Sequence, residues 1–301
     1  MKQGTPWSIQ IELHFGCNYR CDTCYKQVLN LKKSNFKEMT IPTAINIASK
    51  LKKYEPFRIE FAMRGEPTLN SNWLQIIKIF RKYLKESSIM ITTNGSGLNK
   101  KNISQFFKNG GNVILVDCYN NELEKRMEEW KQFKPLDYYN DDFNPYHRHK
   151  PSTKKIVLMD NIMERSGEKK TRVISNHAGN VDYKKIAKYG VKPLKEPLEK
   201  KCVRPFREMI ILYDGEVVLC CADSGNDFKL GNLNRHSFKQ IWFKNRKLII
   251  ARLLLFNKFR IFPPCNRCDF NGGMRQGLIP KMKTITLEQA KEYAKEVISL
   301  K

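Results

Sequence analysis

Cys17, Cys21 and Cys24 crowd into one short run, Cys-Asn-Tyr-Arg-Cys-Asp-Thr-Cys-Tyr, close to the start of the chain. Thiolates at such spacing are ligands for zinc or for an iron–sulfur cluster. A closed site of either kind takes four protein ligands, and this loop supplies three. A cubane cluster held this way keeps one iron for a small-molecule ligand, much as a catalytic zinc keeps an open position. A zinc loop would instead show two CxxC-type pairs. A second group lies far downstream: Cys202, the adjacent Cys220 and Cys221, and the CxxC run Cys265-Asn266-Arg267-Cys268. Four thiolates from those positions can close around one cluster or one zinc. Neighbouring cysteines cannot easily place both sulfurs on one site, so Cys220, where a strand should end, is the expected ligand and Cys221 is spare. Cys118 reads as a packed thiol.

Chemistry at these cysteines depends on the elements that deliver them. A chain of 301 residues buries a large core and has room for more than one domain. Its 41% hydrophobic and 28% charged content exclude a disordered chain. The most apolar stretch, Leu248 to Phe256, is short and interrupted by Arg252, which excludes a membrane span. Met1 to Pro6 has no apolar core of a secretory signal, and nine cysteines without one point to a reducing, cytoplasmic setting. Ile9, Ile11 and Leu13 alternate on one face of a first strand, so the Cys17 loop leaves that strand's C-terminal end. Parallel barrels place their chemistry at this end.

Strand and helix patterns then alternate. Thr40 and Pro42 start a helix with Ile45, Ile47, Ala48 and Leu51 inward. Phe57 to Met63, Ser88 to Thr92, Asn112 to Cys118, Lys155 to Met159 and Arg172 to Ser175 read as strands two to six. Helices are expected over Trp73 to Leu84, Lys101 to Lys108 and Glu122 to Phe133, with a polar loop from Pro135 to Pro151. Six βα units fit an α/β fold, a partial, TIM-like (βα)6 barrel, better than a closed eight-stranded one. Composition changes near Lys192 to Pro197, which reads as a linker. Three regions result: residues 1–190, 191–280 and 281–301. In the second, Met209 to Leu212 and Val217 to Leu219 should form a hairpin about Asp214-Gly215. Ser237 to Phe256 reads as one amphipathic helix with Phe238, Ile241, Trp242, Leu248 and Ile249 inward. Thr286 to Gln289 has the form of a capping box for a last helix.

Two further motifs end strands. Met63-Arg64-Gly65-Glu66-Pro67 follows strand two, and Thr92-Thr93-Asn94-Gly95 follows strand three. Together with CxxxCxxC and the aromatic Tyr25, they resemble the radical S-adenosylmethionine (SAM) superfamily. The resemblance implies that Cys17, Cys21 and Cys24 hold a [4Fe–4S] cluster whose free iron binds SAM. It also implies reductive cleavage of SAM to a 5′-deoxyadenosyl radical, which abstracts hydrogen from the substrate. Gly65, Glu66 and Pro67 match the family's GGEP element, which contacts the methionine amino group; Arg64 stands where its first Gly is usual. Thr93 and Asn94 match the segment near the SAM ribose, and Tyr25 the residue flanking adenine. The C-terminal cysteines resemble the twitch domain, a shortened SPASM domain. That implies one auxiliary [4Fe–4S] cluster on Cys202, Cys220, Cys265 and Cys268. Among twitch enzymes the pattern is similar to the 2-deoxy-scyllo-inosamine dehydrogenase type, which implies two-electron oxidation of an alcohol in a small molecule.

Other residues carry weaker signals. His177, after strand six, is the best-placed histidine for proton transfer, Arg172 is a base or carboxylate clamp, and His147 and His149 read as solvated; the catalytic base is not assigned. Formal net charge is +25, with Lys outnumbering Arg 39 to 16. Such a field draws nucleic acid, anionic substrates or acidic proteins, including a flavodoxin or ferredoxin as reductant. The rivals are a peptide-modifying enzyme, a nucleotide- or nucleic-acid-modifying enzyme, and a zinc-stapled nucleic-acid-binding protein. The start of strand one so near Met1 leaves no room for an N-terminal leader-binding domain, which counts against the peptide reading.

Overall fold

The computed structural model describes residues 4–21, 24, 33–118, 136–138, 149–160, 176–187, 192–270 and 282–300. The alternation at Ile9 and Ile11 becomes strand β1 (Ser8–Ile11). A small antiparallel pair follows, β2 (His14–Phe15) with β3 (Lys37–Glu38), and brackets the cysteine loop at its base. Helix α1 (Ile41–Leu51), strand β4 (Arg58–Phe61), helix α2 (Trp73–Tyr83), strand β5 (Ser88–Thr93), helix α3 (Lys100–Lys108) and strand β6 (Val113–Cys118) complete the regular βα alternation. Strands β1, β4, β5, β6 and β8 (Lys155–Asp160) pair in parallel, in that order. Strand β7 (Leu136–Tyr138) adds to β8 in parallel at the far edge, within the segment whose composition reads as a polar loop.

The register decides what each face carries. Ile9, Ile59 and Ile89 align, as do Ile11, Phe61 and Ile91, and these residues pack beneath α1 to α3. The other face presents polar groups: Arg58 pairs with Glu60 at 3.2 Å, and Thr92 donates to Glu60. Burial raises the Glu60 pKa, and Arg58 opposes that rise. Helix α1 starts as expected, with Thr40 accepting from Thr43 N. Its buried stripe is Ala44, Ile47, Ala48 and Leu51, whereas Ile45 is 40% exposed. Positions 44, 47, 48 and 51 follow the i, i+3, i+4, i+7 rule, and 45 falls off that face.

After helix α4 (Tyr183–Ile186) and helix α5 (Arg204–Arg207), the C-terminal hairpin does not stand apart. Strand β9 (Glu208–Ile211) pairs in parallel with β1, Ser8 opposite Glu208 and Ile11 opposite Ile211. Strand β10 (Glu216–Val218) returns through Asp214-Gly215, and β11 (Lys229–Asn232) closes the sheet. Gly215 sits at φ +83°, where a side chain would be strained. Among the described residues the sheet therefore runs without interruption from β11 to β7.

The helix expected over Ser237 to Phe256 is two. Helix α6 (Phe238–Phe243) is capped by a Ser237–Gln240 box, and helix α7 (Arg246–Phe256) begins at Asn245, which accepts from Leu248 N. Asn245 also donates to the Leu230 carbonyl at 2.6 Å, so its side chain serves the sheet and the new helix at once. Phe238, Ile241, Trp242 and Leu248 are buried as expected; Ile249 is 42% exposed because the break resets the phase. The last helix, α8 (Leu287–Ser299), carries the anticipated Thr286–Gln289 capping box. The expected strand over 172–175 and helix over 122–133 lie outside the described residues, as do Arg172, His147 and Tyr25.

Candidate functional site

The first cysteine loop is built from its base upward. His14 Nδ1 donates to the Gly16 carbonyl at 2.9 Å, fixing the exit from β2. Glu66 N donates to the same carbonyl at 2.8 Å. A Cβ on Gly65 would lie 1.8 Å from the His14 carbonyl oxygen and 2.5 Å from that of Gly16. Glycine is therefore required there, because two stretches of backbone touch. Cys17 Sγ receives hydrogen bonds from Tyr19 N at 3.3 Å and Asn94 Nδ2 at 3.5 Å. Asn94 also donates to Asn18, which donates to Ser96, so the segment after β5 closes over the loop. Cys24 N donates to the Cys21 carbonyl at 3.0 Å. Three sulfurs from one loop, one of them a good acceptor of N–H bonds, make a donor set that fits a cluster with one open iron.

Glu66 is 2% exposed and its carboxylate is occupied by protein donors. Oε1 accepts from Thr68 N, Thr68 Oγ1 and Thr93 Oγ1, the last two at 2.6 Å, and Oε2 accepts from Asn94 N at 2.7 Å. It therefore shapes the wall that Thr93 and Asn94 form. Arg64, flagged as a departure from the usual glycine, is 4% exposed. It grips Glu12 in a bidentate pair at 2.7 and 2.8 Å, stacks on Phe15 at 4.5 Å, and reaches Ser224 O and Asn226 Oδ1. That reach ties the first site to the turn after Cys221.

The second site gathers remote segments. Cys202 and Cys268 are buried, while Cys220, Cys221 and Cys265 are half-buried. None of these five is in a disulfide. Burial pushes the Cys202 thiol up to about 11, with Cys220 adding to the rise and Arg260 and Arg204 opposing it. Cys265 is raised by burial and then by Cys202, Cys220 and Cys268. Cys268 is also raised, chiefly by burial. In the adjacent pair Cys220 is lowered, because the Cys221 thiol hydrogen-bonds to it and Arg204 faces it. Cys220 is thus the sulfur that shares a neighbourhood with the other three. Cys221, hydrogen-bonded to Cys220 and to Arg204, packs with Met63 against Ile210, Leu212 and Val218. Thiols crowded in a poorly hydrated site resist ionisation until a cation arrives, so this donor set also fits a cluster. Among the described residues no three such side chains gather as a single metal ion would require. A cluster, larger than one ion, holds its ligands farther apart.

Residues 202–269 match the SPASM family, an iron–sulfur cluster-binding domain. The chain is 21% identical over 247 residues to S-adenosyl-L-methionine-dependent 2-deoxy-scyllo-inosamine dehydrogenase of Niallia circulans, covering 82% of this chain and 86% of that one. The chain thus carries a SPASM-type iron–sulfur domain. The protein also shares its fold with BtrN in complex with AdoMet and 2-DOIA (TM-score 0.68, 20% identity, 89% of this chain and 94% of that one). A more distant likeness is SuiB of Streptococcus suis bound to precursor peptide SuiA (TM-score 0.51, 12% identity, 86% and 71%). The matched domain is one that binds an iron–sulfur cluster, and both named relatives of known ligand, the dehydrogenase and BtrN, are proteins of S-adenosylmethionine.

Sequence reading placed Ser175 to Asn180 at the barrel mouth, with His177 as a candidate acid–base. In the structure this segment packs beside the second group of cysteines. Asn176 is fully buried; its backbone N–H donates to Asp269, its side chain donates to Arg267 O, and its oxygen accepts from Asp269 N and Gly179 N. Ala178 then packs with Ala222 and Cys268. Arg204 and Arg260, beside the same cysteines, carried no sequence signal, since isolated arginines in a basic chain do not stand out. No helix among the described residues is long and apolar enough to cross a membrane.

Proposed function

We propose that the enzyme oxidises an alcohol carbon of a polyhydroxylated, sugar-like small molecule by two electrons, residues 1–190 serving SAM and residues 191–280 one auxiliary cluster. When bound, the cofactors supply one electron to split SAM into methionine and a hydrogen-abstracting 5′-deoxyadenosyl radical, and one oxidising equivalent to finish the reaction. Cys17, Cys21 and Cys24 hold the first cluster and leave its fourth position to SAM. Gly65 lets the turn at Glu66 and Pro67 seat against that loop. Glu66 orients Thr93 and Asn94 toward the ribose, with a lone pair on Oε2 for the amino group, and Tyr25 flanks adenine. Cys202, Cys220, Cys265 and Cys268 hold the auxiliary cluster.

The observation that carries this reading is the grouping of Cys220 with Cys202, Cys265 and Cys268 in a chain that already has a three-cysteine loop. A similarity of 82% of its length to an alcohol-oxidising relative supports the reaction. The excess positive charge suits docking of an acidic one-electron donor of the flavodoxin or ferredoxin class in a reducing compartment. A second reading, oxidation of a peptide, is favoured by the fold likeness to peptide-bound SuiB.

The test is anaerobic turnover with dithionite, SAM and panels of aminocyclitols, sugars, peptides and nucleotides. A product two hydrogens lighter than an aminocyclitol or sugar, with equimolar 5′-deoxyadenosine, supports the proposal. A lighter peptide moves it to the second reading, and a modified nucleotide contradicts both. Colourless protein containing zinc in place of iron and sulfide overturns the whole assignment.

A further inference from the structure

Two arginines converge on the second cysteine site. Arg204, in helix α5, donates through Nη1 to Cys221 Sγ, lies 3.9 Å from Cys220 Sγ, and stacks over Phe270 at 3.9 Å. Arg260 is 2% exposed, and its guanidinium is held by the carbonyls of Lys200, Cys268 and Phe270 at 2.9, 3.4 and 2.6 Å and of Lys201 at 3.3 Å. Phe270 therefore sits between them, its ring under one guanidinium and its carbonyl on the other. Cys202 and Cys220 feel Arg204, while Cys202, Cys265 and Cys268 feel Arg260. All four candidate ligands are thus within reach of a cation. Glu208 and Asp269 are the carboxylates that oppose them.

A buried arginine needs a reason, because desolvating it costs more than most surface contacts return. Carbonyl acceptors satisfy Arg260, and the sulfurs and Phe270 satisfy Arg204, yet neither faces an ion-paired carboxylate among the hydrogen bonds described. A cluster bound by four thiolates is anionic and becomes one unit more negative on reduction. Nearby cations and N–H donors on sulfur favour that reduced form, and the potential follows net charge and hydrogen bonding to the sulfurs.

We propose that Arg204 and Arg260 are positioning residues that raise the reduction potential of the auxiliary cluster and so fit it to accept an electron from the substrate. The inference rests on the auxiliary-cluster reading above. In the step they favour, the carbon radical left after hydrogen abstraction loses one electron to the oxidised cluster. Its hydroxyl proton passes to solvent, and C=O replaces C–OH. The reduced cluster is restored by an oxidised one-electron carrier of the ferredoxin or flavodoxin class. Cys221 keeps no iron in this arrangement; it holds the Arg204 guanidinium in place.

The experiment is a potentiometric titration of the reconstituted full-length enzyme, followed by electron paramagnetic resonance, with iron and sulfide counted for every variant. Arg204→Gln should make the auxiliary cluster about tenfold harder to reduce, read as a midpoint about 59 mV more negative for one electron. Arg204→Lys should stay nearer the wild type, since it keeps the charge. Glu208→Gln, which removes the opposing charge from a partly exposed position, should move the midpoint the other way. It is also the deciding variant if Arg204→Gln fails to retain its cluster. Two clusters with midpoints unmoved by either charge change overturn the inference and leave the function standing. An equal drop in Arg204→Lys and Arg204→Gln overturns it in favour of a packing role. A wild-type enzyme with iron for one cluster only removes the auxiliary site, and the inference with it.

Discussion

The two groups of cysteines are brought together by opposite routes. The first draws all three sulfurs from one short loop and depends on its neighbours for shape: His14 at the base, Gly65 pressed against backbone, Asn94 over Cys17. The second draws its sulfurs from three separated stretches and sets beside them the half-buried Arg204, the buried Arg260 and the Asn176 clasp. A local site can leave a coordination position open because the loop alone fixes the ligands. A site assembled from distant segments needs every ligand, since each one also ties the chain together. Arg64 is where they meet, held by Glu12 on one side and by Ser224 and Asn226 on the other.

The sharpest way to break this contrast is to delete one site and ask whether the other survives. Replacing Cys17, Cys21 and Cys24 together by Ala should abolish 5′-deoxyadenosine formation while about four irons per chain remain. Loss of all iron would show that the sites are not independent. Next, Cys220→Ser should remove the second cluster and Cys221→Ser should keep it, checked by iron and sulfide content. The reverse result would reassign the ligand. Arg64→Met strands the buried Glu12 carboxylate, and anaerobic urea unfolding should show a loss of about 3–5 kcal/mol. Little change would mean that Arg64 does not join the two regions. The smallest effect is expected for Thr93→Val, which deletes one hydrogen bond to Glu66. Because the hydroxyl also accepts from Gly95 N, it should cost about 2 kcal/mol, with weaker SAM binding read by calorimetry and the iron content unchanged.

Much of the barrel half could be read in advance, because strand alternation and helix periodicity are local and so is the cysteine loop. Strands β4, β5, β6 and β8 fall within a residue or two of their expected places, while β1 ends at Ile11, short of Leu13. Harder to read were features set by contacts across the chain. The break at Asn245 comes from a side chain committed to the Leu230 carbonyl, and no helical propensity announces that. The placement of Asn176 to Asn180 against Asp269 and Arg267 depends on residues some ninety positions later. Arg64 was visible as a departure from the glycine, but its partners in three other segments were not. Glu66 was legible by position; that its carboxylate is spent mainly on Thr68, Thr93 and Asn94 required the structure.

The pairing of β9 with β1 has a consequence for how the molecule comes into being. Ser8 aligns with Glu208, two hundred positions later, so β1 is synthesised long before the strand that flanks it. Contacts this remote in sequence slow folding, and the unpaired flank of β1 stays exposed to other chains meanwhile. A polypeptide cut ahead of Glu208 would never cover that flank.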